Sequence, residues 1–179
     1  MNGFPRDIKK GLWEMKRAVL LVAVMLLLFS HALAEQWITL PGGRYELALP
    51  DRLVYSAPEA GDDGVEAWIS DTLEVDAFAV SLAEARSLLG LKETLTETAE
   101  FLANQGKEAE VREVGGIEML CLRDVDDADG TPCIAYLCPD GDSLIEIDFW
   151  YATPEAGEET ASVISTIRAV NAEKYYCAG

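Results

Sequence analysis

Two Asp-Gly dipeptides, Asp129-Gly130 and Asp140-Gly141, constrain this chain more than any other feature, because both interrupt one alternating stretch, Ile117 to Tyr151. Asp-Gly suits a two-residue type I′ hairpin turn, in which both central positions need positive φ. The stretch therefore reads as three antiparallel strands joined by two tight turns. A turn centred on Asp129-Gly130 pairs residues whose numbers add to 259, which sets Cys121 across from Cys138. Counted outward from Ala128–Thr131, that pair is non-hydrogen-bonded, with Cα atoms about 4.5 Å apart, the short end of the range a disulfide accepts. The same register gives Pro132 a place where its missing N–H costs no ladder bond.

Alternation sorts the stretch into two faces. One collects Ile117, Met119, Val125, Ile134, Tyr136, Ile145, Ile147, Phe149 and Tyr151. The other collects Leu120, Leu122, Ala135, Leu137, Leu144 and Trp150, with charged residues between them. Arg123 breaks the first row and is expected at its rim. A sheet apolar on one side and half apolar on the other needs cover on both.

The cover has to come from the flanking sequence. Gln36-Leu40 and Tyr45-Leu49 alternate around Pro41-Gly42-Gly43 and read as a hairpin. Ala57 to Gly64 reads as a loop, followed by strands at Val65-Ser70 and Leu73-Val80. Ser81 can cap a short helix, Leu82 to Leu89, stopped by Gly90. Thr94 opens a second helix carrying Leu95, Ala99, Phe101 and Leu102, with Gly106 at its end. Glu108-Val114 reads as a polar edge strand, turned by Gly115-Gly116. A last helix, about Pro154 to Val170, brings Ala161, Ile164, Ile167 and Arg168 to one side. The fold class is α+β, an antiparallel sheet layered between helices.

The chain opens on a different kind of signal. Met15 to Ala34 reads as a bacterial secretory signal peptide: Lys16 and Arg17, an apolar run from Ala18 to Phe29, and a small-x-small site at Ala32-Leu33-Ala34. The run is short of the about 20 apolar residues a spanning helix needs. Met1 to Glu14 adds nothing such a signal requires, which leaves Met1 or Met15 as the initiator. Residues 1–34 thus read as a secretory leader, and 35–179 as one exported α+β domain in the envelope or outside the cell. No cysteine directly follows the cleavage site, so lipidation there is excluded, and nothing later resembles a membrane span.

Cleavage changes the chemistry that remains. The leader takes the single histidine, His31, with five of the 14 basic and two of the 32 acidic residues, leaving 9 against 30 and a formal charge of −21. Such a surface repels phosphate backbones, which argues against nucleic acid as a partner. Without histidine there is no Ser-His or Cys-His nucleophile and no imidazole for zinc, and the four cysteines fit disulfides better than a zinc site. All four cysteines lie in the exported part, and an even count in an oxidising compartment points to two disulfides with three possible connectivities. The hairpin register favours Cys121–Cys138, which leaves Cys133–Cys177 to tie the C-terminal tail to the second face.

The order of elements resembles the PsbP-like fold, which also includes bacterial DcrB-type periplasmic proteins and a eukaryotic Ran-binding import factor. The resemblance rests on Tyr45-Glu46-Leu47-Ala48-Leu49-Pro50, Ile145-Glu146-Ile147-Asp148-Phe149-Trp150 and Ala161-Ser162-Val163-Ile164-Ser165-Thr166-Ile167, and covers about Gln36 to Val170. It implies an accessory or binding protein with no shared catalytic set, so no site residue is carried across.

Other motifs fall short of known chemistry. Asp124-Val125-Asp126-Asp127-Ala128-Asp129-Gly130 resembles a calcium loop, but Val125 and Ala128 break the alternation of oxygen ligands and Tyr136 stands where a bidentate Glu is needed. Glu146 and Asp148 share a strand face beside Trp150, which could stack on a sugar in a carboxylate-dependent glycosidase. No catalytic, cofactor-binding or metal-binding set is assigned. The expected function is a non-enzymatic binding or accessory domain for a protein partner or small ligand. The alternatives are a hydrolase using Glu146 and Asp148, and a structural envelope subunit.

Overall fold

The computed structural model describes residues 35–58, 64–125 and 130–170. The leader with His31, the tip of the expected Asp129-Gly130 hairpin and Cys177 lie outside the described residues.

Among the described residues, ten strands form two antiparallel sheets. Strands β1 (Glu35–Thr39), β2 (Tyr45–Pro50) and β10 (Arg168–Ala169) make a three-stranded sheet in the order β1-β2-β10. The larger sheet contains β3 (Val54–Ser56), β4 (Glu66–Ile69), β5 (Leu73–Ser81), β6 (Glu108–Val114), β7 (Ile117–Val125), β8 (Pro132–Asp140) and β9 (Ser143–Tyr151). Its order is β3-β4-β5-β9-β8-β7-β6, so β6 is an edge as its polar pattern requires. Helices α1 (Leu82–Leu88), α2 (Leu95–Ala103) and α3 (Pro154–Ile164) complete the fold.

The helices begin where their capping residues stand. Ser81 accepts from the Glu84 N–H at the start of α1. Thr94 and Glu97 form a reciprocal capping box on α2. Thr153 accepts from the Ala156 N–H ahead of Pro154, which needs no N–H partner at that position.

Both sheet faces are covered, by different means. On the first face, Met119, Ile134, Tyr136, Ile145, Ile147 and Phe149 pack with Leu47 and Leu49 of β2 and with Ala156, Val163 and Ile164 of α3. On the second, Leu120, Ala135, Leu137 and Leu144 pack with Ala85 of α1 and with Leu95 and Ala99 of α2. The layers are therefore helices α1 and α2, the seven-stranded sheet, and then the small sheet with α3.

The structure corrects several expectations. The β7–β8 ladder pairs Cys121 with Tyr136 and Leu120 with Leu137, so paired numbers add to 257, not 259. The ladder closes at Val125–Pro132, leaving six residues between the strands where a two-residue turn was expected. Cys121 and Cys138 thus share a face without standing opposite one another, and Cys121, Cys133 and Cys138 are free, buried thiols. The second turn is also displaced by one residue. Asp140 pairs with Ser143, so Gly141 and Asp142 form the turn, with Gly141 at φ +61° as its first central residue, the place type II′ reserves for glycine.

The last helix stops at Ile164, short of Val170, and Arg168 lies on β10. There its guanidinium sits 3.7 Å over the Trp37 ring and donates to Glu46 at 2.9 Å, holding β10 against β2. The sequence from Val54 to Ser56 gave no strand signal, yet it pairs with β4 at the sheet edge.

Candidate functional site

Arg123 is the entry point to the site. It occupies a first-face position on β7, in line with Met119 and Cys121, and its side chain is exposed, as its misfit in an apolar row requires. Across the ladders it stands between Glu108 on β6 and Ile134 on β8. Arg112, on the same face of β6, is ion-paired to Glu110 beside it. Both arginines line a groove of about 540 Å³, within the size range of small-molecule sites.

The floor and far wall of the groove are apolar and aromatic. Ile134 and Tyr136 of β8 are buried beneath it, with Pro132 at the strand's start. The Tyr136 ring meets Phe149 edge-on, with centroids 5.8 Å apart. Its hydroxyl is hydrogen-bonded to Cys121, and burial together with the Cys121 thiol pushes Tyr136 up to about 12. Burial likewise raises the Cys121 thiol, against the pull of Arg112. Both groups are neutral at ordinary pH; Tyr136 serves as floor, and the Cys121 thiol behind it is no nucleophile.

The opposite wall is the first two turns of α3. Tyr151 lies flat against this helix because residue 157 is glycine: a Cβ there would come within 2.8 Å of the Tyr151 ring. Thr153, Pro154, Glu158 and Ala161 complete the wall. The positive end of the α3 dipole thus lies on the groove with two guanidinium groups, an arrangement that favours negative charge. Glu158, exposed on the same wall, offers the reverse.

The two carboxylates marked in the sequence lie elsewhere. Glu146 and Asp148 point to the second face of β9, and neither lines the groove. Asp148 stands directly across from Asp76 of β5, and Glu74 faces Trp150 one row further along. Like charges so placed repel each other. Burial first, then the charges of Glu146 and Asp76, push Asp148 up to about 7. Burial and Glu74 push Asp76 to about 6, against the Trp150 indole that donates to it. Burial raises Glu146 as well. One oxygen of Asp148, Oδ1, is buried with no hydrogen-bond partner among the described residues. Trp150, read as a sugar platform, is engaged as the donor to Asp76.

The cysteines divide between the faces. Cys121 and Cys138 lie in the first-face core, and burial pushes Cys138 up to about 12. Cys133 lies on the second face opposite Trp150, where burial and Asp148 raise its thiol. Among the described residues, no three His, Cys, Asp or Glu side chains come together so as to hold a metal ion.

Sequence reasoning flagged Arg123 but missed Arg112, Asp76 and Glu74. Alternation along Leu73–Val80 puts Glu74 and Asp76 on one face, which was a usable signal. Their meeting with Asp148 depends on the β5–β9 pairing, which no local pattern encodes.

No protein-family model matches this chain, and no curated protein matches it. Solved structures do. Cyanobacterial PsbP (CyanoP) from Synechocystis sp. PCC 6803 is 18% identical, with a TM-score of 0.52 over 76% of this chain and 92% of its own. A structure from Bacteroides thetaiotaomicron VPI-5482 is 14% identical, with a TM-score of 0.52 over 79% of this chain, which spans half of that longer one. The Ran-binding protein Mog1p of Saccharomyces cerevisiae is 13% identical, with a TM-score of 0.48 over 79% of this chain and 98% of its own. The sheets, the helix placement and the CyanoP match establish a PsbP-like fold.

Proposed function

We propose that residues 35–179 form an exported, non-catalytic binding or accessory domain, and that its ligand seats in the groove between α3 and strands β6 to β8. The observation that carries this reading is the convergence of Arg112, Arg123 and the start of α3 on one cavity with an apolar floor, in a domain otherwise dominated by acidic residues. The leader pattern at Met15 to Ala34 supports export, and no helix among the described residues is long and apolar enough to cross a membrane.

The hydrolase reading on Glu146 and Asp148 has less support. Its two carboxylates lie on the sheet face away from the groove, and Asp148 is set against a second carboxylate where an acid and a nucleophile would need room for a substrate.

The test has two parts. Mass analysis of the protein recovered from envelope and medium should find Glu35 as its first residue; intact, cell-retained protein would overturn export. Amide spectra recorded against a panel of small organic anions, zwitterions and cations should show shifts confined to groove residues and lost in Arg112→Ala/Arg123→Ala. Turnover of glycans or peptides that is abolished by Glu146→Gln/Asp148→Asn would overturn the binding reading.

A further inference from the structure

We propose that the groove recognises a short apolar peptide with free termini, about three residues long, its carboxylate held by Arg112 and Arg123 and its ammonium by Glu158. The proposal rests on the groove being the binding site and adds the class of ligand.

Charge bookkeeping in and beside the groove selects a zwitterion over a polyanion: Glu158 lines it with the two arginines, and Glu108 and Glu110 stand just outside. Arg112 and Arg123 are set against Glu110, ion-paired to Arg112, against Glu108, opposite Arg123, and against Glu158 on the facing wall. The local sum is close to neutral or slightly negative, and the domain as a whole is strongly anionic. For a phosphate or dicarboxylate, these carboxylates and the anionic domain offset much of the attraction of the two guanidinium groups. A ligand that is neutral overall, with its two charges separated, escapes that penalty and still meets a guanidinium at one end and a carboxylate at the other.

Distance selects the length. Arg123 is on β7, and Glu158 is on α3, which packs against β9 and β2. Two strand spacings separate β7 from β9, about 10 Å. Three extended residues span about 10 Å. Between the two ends the groove offers Pro132, Ile134, Tyr136 and Tyr151, which suit aliphatic or aromatic side chains and give a charged one no partner.

The probes are tri-leucine, its C-terminal amide, its N-acetyl form, and phenyl phosphate, each titrated by calorimetry and by amide shifts into the protein purified from producing cells. Free tri-leucine is expected to shift groove resonances and to bind at least tenfold tighter than either blocked form. Glu158→Gln should erase the preference over the acetylated peptide, and Arg123→Gln the preference over the amide. Both residues are exposed, so neither change threatens folding, and the thermal midpoint of each variant checks this. Equal binding of free and blocked peptides, or groove shifts produced by phenyl phosphate and not by tri-leucine, would overturn the peptide assignment and leave the groove as a binding site. No groove shift with any of the four probes would overturn the peptide assignment, and silence across the wider panel above would overturn the groove itself.

Discussion

Replacing Asp148 by asparagine should make this protein more tolerant of alkaline pH than the wild type. Asp148 faces Asp76 on β5 and Ala135 on β8, lies beside Glu146 and Trp150 along β9, and has the Cys133 thiol close by. Burial and these neighbours hold its carboxyl at about 7, against an ordinary 3.8. At roughly 1.4 kcal/mol per pKa unit, that displacement corresponds to about 4 kcal/mol. Below pH 4 the carboxyl is protonated in both folded and unfolded chains, and the stability it contributes is fully present. Between pH 4 and 7 the folded state keeps a proton that the unfolded chain has released, so stability falls as pH rises. Above 7 the folded protein carries the whole cost of a buried, repelled charge. Asparagine never ionises, although its amide inherits the unpartnered position of Oδ1 at a pH-independent cost of about 1–3 kcal/mol. Urea unfolding followed through the buried Trp68 at pH 4 to 8 measures the difference. The variant should be the weaker protein at pH 4 and the stronger at pH 8, the gap changing by up to about 4 kcal/mol. A gap constant to within about 0.5 kcal/mol across that range would refute the account, since every pH-independent effect cancels in the comparison.

Three further outcomes follow from the backbone and the core. Gly115 and Gly116 both have positive φ, but a Cβ at Gly115 would lie 2.3 Å from the Ile167 carbonyl oxygen, and one at Gly116 would meet nothing within 4 Å. Gly116→Ala should therefore cost only the left-handed backbone penalty of about 1–2 kcal/mol, and Gly115→Ala at least twice that in chemical denaturation; equal costs would show that the β6–β7 turn does not press on the end of the first-face core. Thr94→Ala removes the acceptor for the Glu97 N–H at 3.1 Å and should cost about 1 kcal/mol by thermal melting. Phe149→Ala empties the centre of the first-face core, where Phe149 is fully buried against Tyr136, and should cost about 3–5 kcal/mol.

Which face each residue joins was legible in the sequence, and how the strands slide past one another was not. Met119, Ile134, Tyr136, Ile147 and Phe149 all lie in the first-face core, and Leu120, Leu137 and Leu144 in the second, as alternation requires. The β7–β8 register is nevertheless displaced by two. Side chains repeat every second residue, so a slip of two leaves every face intact, while a slip of one would have inverted them all. Burial therefore fixes the parity of the register and is blind to its even displacements. Only the connection could have decided between them, and between β7 and β8 it is six residues long where Asp129-Gly130 suggests two; a second Asp-Gly was also misleading. At Asp140-Gly141 the aspartate is the last ladder residue and the glycine the first of the turn, so the same dipeptide places the ladder one residue further out than a type I′ reading does. The expected Cys121–Cys138 bond failed because a six-residue connection, not a two-residue turn, sets the β7–β8 register.

Pairings between distant segments were hidden for a different reason: β5 with β9, and β10 with β2, join across several intervening elements, and nothing local marks them. The residues that break the apolar pattern are nevertheless not scattered. Where β8 begins and β9 ends, Arg123, Pro132 and Tyr151 gather at the groove on one face, while Asp148, Trp150 and Cys133 meet Asp76 and Glu74 on the other. The opposite end of the same strands carries Leu137, Leu144 and Ile145, fully buried under α1, α2 and the small sheet. One end of the sheet is thus packed for stability, and the other keeps costly charges on both faces. Stability alone would remove such exceptions, since apolar replacements at Asp76 and Asp148 would relieve the repulsion, so their concentration at one end marks that end as the part of the domain shaped by what it does.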